Sequence, residues 1–107
     1  MNILFVCSRN KWRSRTAEDL FKDNTIHNVR SAGTAAIARV KVSEKLVLWA
    51  ELIFVMERRH RDQLRENFPF ALAGKDVIIL DIPDEYQYMD KELIEIIKSS
   101  VAPYISI

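Results

Sequence analysis

The chain's single cysteine, Cys7, is followed at C-x5-R spacing by Arg13, with Ser14 next to it. Those three residue types can do phosphoryl chemistry. A six-residue loop between a strand end and a helix start can curl until its backbone N–H groups line a concavity. Together with the helix N-terminus, such donors suit a phosphate-sized dianion. An arginine at the far end can reach back with two parallel N–H donors onto two phosphate oxygens. The thiol then lies beneath the phosphorus, in positive surroundings that favour the thiolate. Ser14 can donate a hydrogen bond to the sulfur and stabilise it as a leaving group in a second step. A free cysteine is often just a small buried apolar residue, but that role explains neither Arg13 nor Ser14.

The elements that must position this loop are legible in the apolar pattern. Residues 3–7, "ILFVC", are a continuous apolar run of strand type. Residues 14–24 follow with Ala17, Leu20 and Phe21 on one helical face. "NVRSAG", 28–33, is a weaker strand ending at Gly33. "SEKLVLWA" begins a helix with Ser43 as N-cap. "LIFVM", 52–56, and "VIIL", 77–80, are two more apolar strands, the latter ending at Asp81 before Pro83 breaks it. Residues 57–67 read as a charged surface helix. A last helix starts at Asp90, with Leu93, Ile94, Ile97, Val101, Tyr104 and Ile105 in one stripe.

Strands alternating with helices imply an α/β domain, 1–107, with a parallel sheet covered on both faces in three layers. Three of the strands read as central and the one near Val29 as an edge. In such sheets the working residues lie beyond the carboxyl ends of the strands. Cys7, Met56 and Asp81 stand at such ends, so the crevice holds a thiol and at least one carboxylate.

Composition excludes several functions. With 16 Lys+Arg against 15 Asp+Glu, no global charge draws the chain to nucleic acid or to an anionic membrane. No stretch approaches the roughly 20 apolar residues of a membrane span, and the start lacks the pattern of a signal peptide. One cysteine forms no internal disulfide, which fits a reducing compartment. The expectation is a soluble, cytoplasmic protein; its oligomeric state is not readable. One cysteine and two distant histidines, His27 and His60, give no zinc-ligand spacing. No metal and no cofactor are expected. His27 reads as an exposed edge residue and His60 as part of a helix face. The run "ERRHRDQLRE", 57–66, reads as a solvated face.

"FVCSRNKWRS", followed by Ala17 and Glu18, resembles the opening V-C-x-G-N-x-C-R-S-P-x-A-E of the low-molecular-weight protein tyrosine phosphatase family. "SAGT", 31–34, and "ELIFVME", 51–57, resemble two later family stretches. The chain looks most like a compact subgroup of about this length. The resemblance implies a four-stranded parallel sheet of order 2-1-3-4. It makes Cys7 the nucleophile, Arg13 the phosphate-binding arginine and Ser14 the residue that assists the thiolate. The amides of Ser8, Arg9, Asn10, Lys11, Trp12 and Arg13 would hold the phosphate oxygens. Asn10 would keep the loop in a left-handed turn, braced by Ser31. The implied function is metal-independent hydrolysis of a phosphomonoester through a cysteinyl-phosphate, on a phosphorylated protein or a small phosphoester. A protein-tyrosine phosphatase is the family expectation.

Such cleavage needs a proton for the leaving oxygen and later an activated water, and one carboxyl group can serve both steps. "IPDEY" resembles the family's Val-Pro-Asp-Pro-Tyr loop, which puts Asp84 on the acid and Tyr86 on the cleft wall, with Glu85 in place of a proline. Asp81 is the alternative acid, though a turn-capping role suits it better. Lys11 falls where an apolar side chain usually lines the cleft, so this cleft should be more electropositive. Three other positions depart from the family. Arg9 replaces a glycine and would be strained by about 1 kcal/mol or more if its φ were positive. Arg15 replaces a proline. Trp12 replaces a second cysteine, which leaves Cys7 without a protective disulfide partner against over-oxidation; Trp12 could also pack beneath the loop. Arsenate reduction, which uses several thiols in relay, is disfavoured. A phosphoresidue-binding module without turnover is the reading from another class, and it would need neither Cys7 nor an acid.

Overall fold

The computed structural model describes residues 1–106. Its elements run β1 (Asn2–Cys7), α1 (Arg13–Phe21), β2 (Asn28–Gly33), α2 (Glu44–Trp49), β3 (Leu52–Val55), α3 (Arg58–Asn67), β4 (Asp76–Ile79) and α4 (Lys91–Val101). The four strands form one sheet in the order β2-β1-β3-β4, and every neighbouring pair is parallel.

Alternation along β1 explains the three layers. Successive side chains of a strand point to opposite faces. Ile3, Phe5 and Cys7 pack with Ala17 and Phe21 of α1 and with Leu93, Ile97 and Val101 of α4. Leu4 and Val6 face the other way, onto Val47 of α2 and Leu64 of α3. Phe5 stacks on Phe54 of the neighbouring strand at 5.2 Å between ring centroids, and on Phe21 at 6.0 Å. Burying each such ring contributes about 2–3 kcal/mol, so β1 is both the centre of the sheet and the centre of the core.

Several expectations change in detail. β4 is an edge strand, not a central one. Its apolar run arises because Ile78 packs into one core while Val77 and Ile79 pack into the other. An edge strand covered on both faces has the same pattern as a central one. Helix α1 ends at Phe21. Helix α4 ends at Val101, although Ile105 still joins its core cluster from the following turn. Helix α3 is not only a surface helix, since it buries His60 and Leu64. His27 is half-buried, its Nδ1 3.2 Å from the Met1 amino group and its Nε2 3.1 Å from the Ser106 carbonyl.

The helix starts use the residues expected. Ser43 Oγ accepts from the Leu46 N–H at 3.2 Å. Asp90 Oδ1 accepts from the N–H groups of Glu92 and Leu93 at 2.8 and 3.3 Å. Because α4 covers the face that carries Cys7, its cap matters to the site. Asp90→Ala is expected to cost about 1 kcal/mol, read as a lower midpoint in urea unfolding. An unchanged midpoint would show that the cap contributes nothing.

Candidate active site

The sheet order reverses at β1: the chain moves to β2 on one side, then to β3 on the other. The crevice between the carboxyl ends of β1 and β3 is where ligands bind in open parallel sheets. Cys7, 3% exposed, ends β1 at this place.

The loop from Ser8 to Trp12 is held from outside by its carbonyls. Cys7 O, Ser8 O, Arg9 O and Asn10 O accept in turn from Thr34 N, Ala35 N, Arg39 N and Arg39 Nε, at 2.8–3.1 Å. With four consecutive carbonyls turned outward, the amides are left for the inner side. Among the described residues, the N–H groups of residues 9–12 have no backbone partner. Helix α1 starts beside them with no side-chain cap and no acidic residue in its first turn. A ring of free donors at a helix N-terminus is an anion site in waiting. Gly33 permits the close approach, since a Cβ there would lie 2.5 Å from the Ser8 carbonyl oxygen and 2.9 Å from the Arg9 carbonyl carbon.

Asn10 takes φ 55°, as the resemblance implied. Its Nδ2 donates to Ser14 Oγ at 2.7 Å and to Ser31 Oγ at 2.8 Å. The Ser31 hydroxyl in turn donates to the Glu18 carboxylate. Ser14 Oγ lies 2.9 Å from Cys7 Sγ. Since Ser14 Oγ accepts from Asn10, its own proton is left for an acceptor, and the sulfur is closer than the other one in reach, the Ala32 carbonyl at 3.4 Å. Arg9 is not among the residues with positive φ, so the strain conditional on that conformation does not arise.

Arg13 is 2% exposed. Its Nη1 donates to Glu57 Oε2 at 2.7 Å and to the Ile82 carbonyl at 2.8 Å. Its Nε lies 3.7 Å from Asp84 Oδ1. These contacts leave Nη2 for a ligand. The resulting cavity, about 270 Å³, is lined by Cys7, Ser8, Arg9, Lys11, Trp12, Arg13, Arg59 and Asp84.

Asp84 therefore lines the cavity together with Cys7, whereas Asp81 is exposed at φ 58° and does not line it. Tyr86, expected on the wall, does not line the cavity and packs instead against the core on the α1–α4 face of the sheet. Its place is taken by Trp12, which stands at the rim with Lys11 Nζ 5.0 Å from its ring centroid. Trp12 is thus not a packing residue beneath the loop. Arg15 lies outside the cavity, next to Asp19 and over the Tyr88 ring.

Three residues of this neighbourhood are hidden in the charged run that reads as a solvated face: Glu57, Arg59 and His60. Glu57 holds Arg13 and also accepts from Arg59 Nη2 at 2.9 Å. His60 is fully buried, with Nε2 2.9 Å from Ser8 Oγ and Nδ1 accepting from the Glu57 N–H. The usable signals were Glu57's place just past the end of β3 and the three-residue spacing of Glu57 and His60, that of a capping box.

No protein-family model matches the chain, and no curated protein matches it in sequence. Solved structures do match over nearly its whole length. The Wzb protein of Vibrio vulnificus, in complex with benzylphosphonate, is 24% identical with a TM-score of 0.76, over 96% of this chain and 95% of that one. The YwlE arginine phosphatase with a phosphorylated active-site serine is 23% identical with a TM-score of 0.73, over 96% and 94%. The low-molecular-weight protein tyrosine phosphatase of T. tengcongensis is 20% identical with a TM-score of 0.71, over 94% and 92%. The fold is that of the low-molecular-weight phosphatases, with the 2-1-3-4 sheet that the sequence resemblance implied.

Charge in the crevice is balanced through Arg13. Burial alone would push the Glu57 carboxyl up, but hydrogen bonds from Arg13 and Arg59 hold it below its ordinary value. Burial, then the charges of Arg13 and Arg59, push His60 down to about 4, against smaller opposing effects of Glu57 and Asp84. His60 is therefore neutral in the folded protein, while the unfolded chain takes up a proton below about 6.5. The fold should lose stability as pH falls from about 6.5 to about 4, by on the order of 2–3 kcal/mol from this group. Urea unfolding across that range should show a fall that His60→Gln flattens. An equally steep fall in the variant would remove His60 as its cause.

Proposed function

We propose that the protein is a cysteine-dependent phosphomonoesterase that cleaves aryl phosphates of the phosphotyrosine type through a cysteinyl-phosphate intermediate. The observation that carries this reading is the placement of Cys7 Sγ, hydrogen-bonded to Ser14, at the base of a cavity ringed by free amides and Arg13.

The Cys7 thiolate attacks phosphorus in line and the bond to the leaving oxygen breaks. Amides of the loop and Arg13 hold the equatorial oxygens, whose charge is met by donors already in place. Asp84 gives its proton to the leaving oxygen. Water then attacks the phosphocysteine, Asp84 takes the water's proton, and Cys7 departs as a thiolate held by the Ser14 hydroxyl. The cations of the cavity provide the charge stabilisation that other phosphatases draw from metal ions, so no metal has a step to perform. The phosphorylated active-site serine of the YwlE structure supports a covalent step at the corresponding place.

Charge selects among leaving groups. Arg9, Lys11, Arg13 and Arg59 line the cavity against the one carboxylate of Asp84. A phosphoarginine brings a leaving group that becomes a guanidinium cation, which these side chains repel. Like charges some 4 Å apart near a protein surface repel by about 4 kcal/mol at most. A neutral phenol meets no such penalty and can lie against Trp12.

Hydrolysis of phenyl phosphate in the presence of EDTA tests the mechanism. Cys7→Ser should abolish turnover. Asp84→Ala should lower kcat by about 10²–10³, while Asp81→Ala stays within about twofold. Full activity in Cys7→Ser would sink the mechanism, and loss only in Asp81→Ala would transfer the acid. Phosphotyrosine should exceed phosphoarginine in kcat/KM by about a hundredfold or more, and the reverse order would overturn the charge argument.

A further inference from the structure

His60 is a fully buried side chain whose two nitrogens are both committed. Nδ1 lies 3.1 Å from the backbone N of Glu57. A backbone N–H can only donate, so Nδ1 carries no proton. A neutral imidazole with a bare Nδ1 bears its hydrogen on Nε2. That nitrogen stands 2.9 Å from Ser8 Oγ, so Ser8 accepts. The hydroxyl's own hydrogen has no acceptor among the described residues, and Ser8 lines the cavity one position after Cys7.

We propose that Ser8 is a further donor to a phosphate oxygen in this cavity and that His60 is the residue that aims it. The inference rests on the phosphatase reading above. The ring is faced by the cations Arg13 and Arg59 and by the carboxylates Glu57 and Asp84. Burial and the two cations keep it neutral, so the donor arrangement is constant around neutral pH. A hydroxyl whose lone pair is already engaged by an N–H is no longer free to turn. It offers its proton in one direction, and a hydrogen bond to an ionised oxygen is among the stronger kinds. His60 acts only through Ser8 and is a positioning residue.

The test combines calorimetric binding of inorganic phosphate with hydrolysis of p-nitrophenyl phosphate by the full chain. Ser8→Ala should weaken phosphate binding and lower kcat/KM, each by about tenfold; its thermal midpoint should also fall, because the buried His60 Nε2–H loses its acceptor. His60→Leu should give the same losses. The double variant should be no worse than either single, because both remove one interaction. His60→Gln, whose amide N–H can stand in for Nε2–H, should recover most of the loss. If His60→Leu fails to fold, Ser8→Ala and His60→Gln carry the test alone. Phosphate binding in Ser8→Ala as tight as in the native protein would overturn the proposal, and so would single losses that multiply in the double variant. Weakened phosphate binding in Ser8→Ala with no hydrolysis by the native protein would keep the donor and reject the phosphatase. Native hydrolysis undiminished in Ser8→Ala would reject the donor and keep the phosphatase.

Discussion

Arg13 carries a permanent positive charge into a position only 2% exposed, and everything around the crevice answers to that. An unpaired buried charge costs several kcal/mol. Here the compensation comes from the loop after β3, through Glu57, and from the loop after β4, through the Ile82 carbonyl and Asp84. One guanidinium thereby gathers the carboxyl ends of three strands. The same charge helps hold Glu57 ionised and His60 neutral. The contacts that make the arginine tolerable are therefore also those that bring Asp84 to the cavity lined by Cys7.

A second constraint is the direction in which hydrogen atoms point. Asn10 presents both hydrogens of its amide to two serines. Ser31 then directs its own hydrogen to Glu18, and the Ser14 hydrogen is left for Cys7 Sγ or the more distant Ala32 carbonyl. The polarity is imposed from the neutral amide outward. The left-handed backbone at Asn10, a conformation that asparagine tolerates better than most residues, is what lets one side chain reach both hydroxyls.

Much of this was legible in the sequence because it is local. Apolar runs reported the strands, C-x5-R reported the loop between β1 and α1, and Ser43 and Asp90 reported helix starts. What escaped was non-local. Nothing near Glu57 says that an arginine 44 positions earlier needs a counterion. His60 is interleaved with arginines, and a charged helix with one buried turn has the pattern of one fully in water. Tyr86 misled for the converse reason: a matching motif carried its position but not its orientation, which packing against the core decides. β4 misled because burial on two faces and burial between two strands leave the same apolar signature.

Ile82 joins the crevice through two groups that differ in kind. Its side chain is sunk in the core, and its carbonyl accepts from Arg13. Neither attachment involves the residues that follow it. The stretch 83–89, largely exposed, thus begins from a fixed post and is tied again at Asp84 to Arg13, at Tyr86 to the core, at Tyr88 to Asp19 and at Met89 to Thr16. Between those ties, the exposed side chains of Glu85 and Gln87 can change without moving the contacts that hold Arg13.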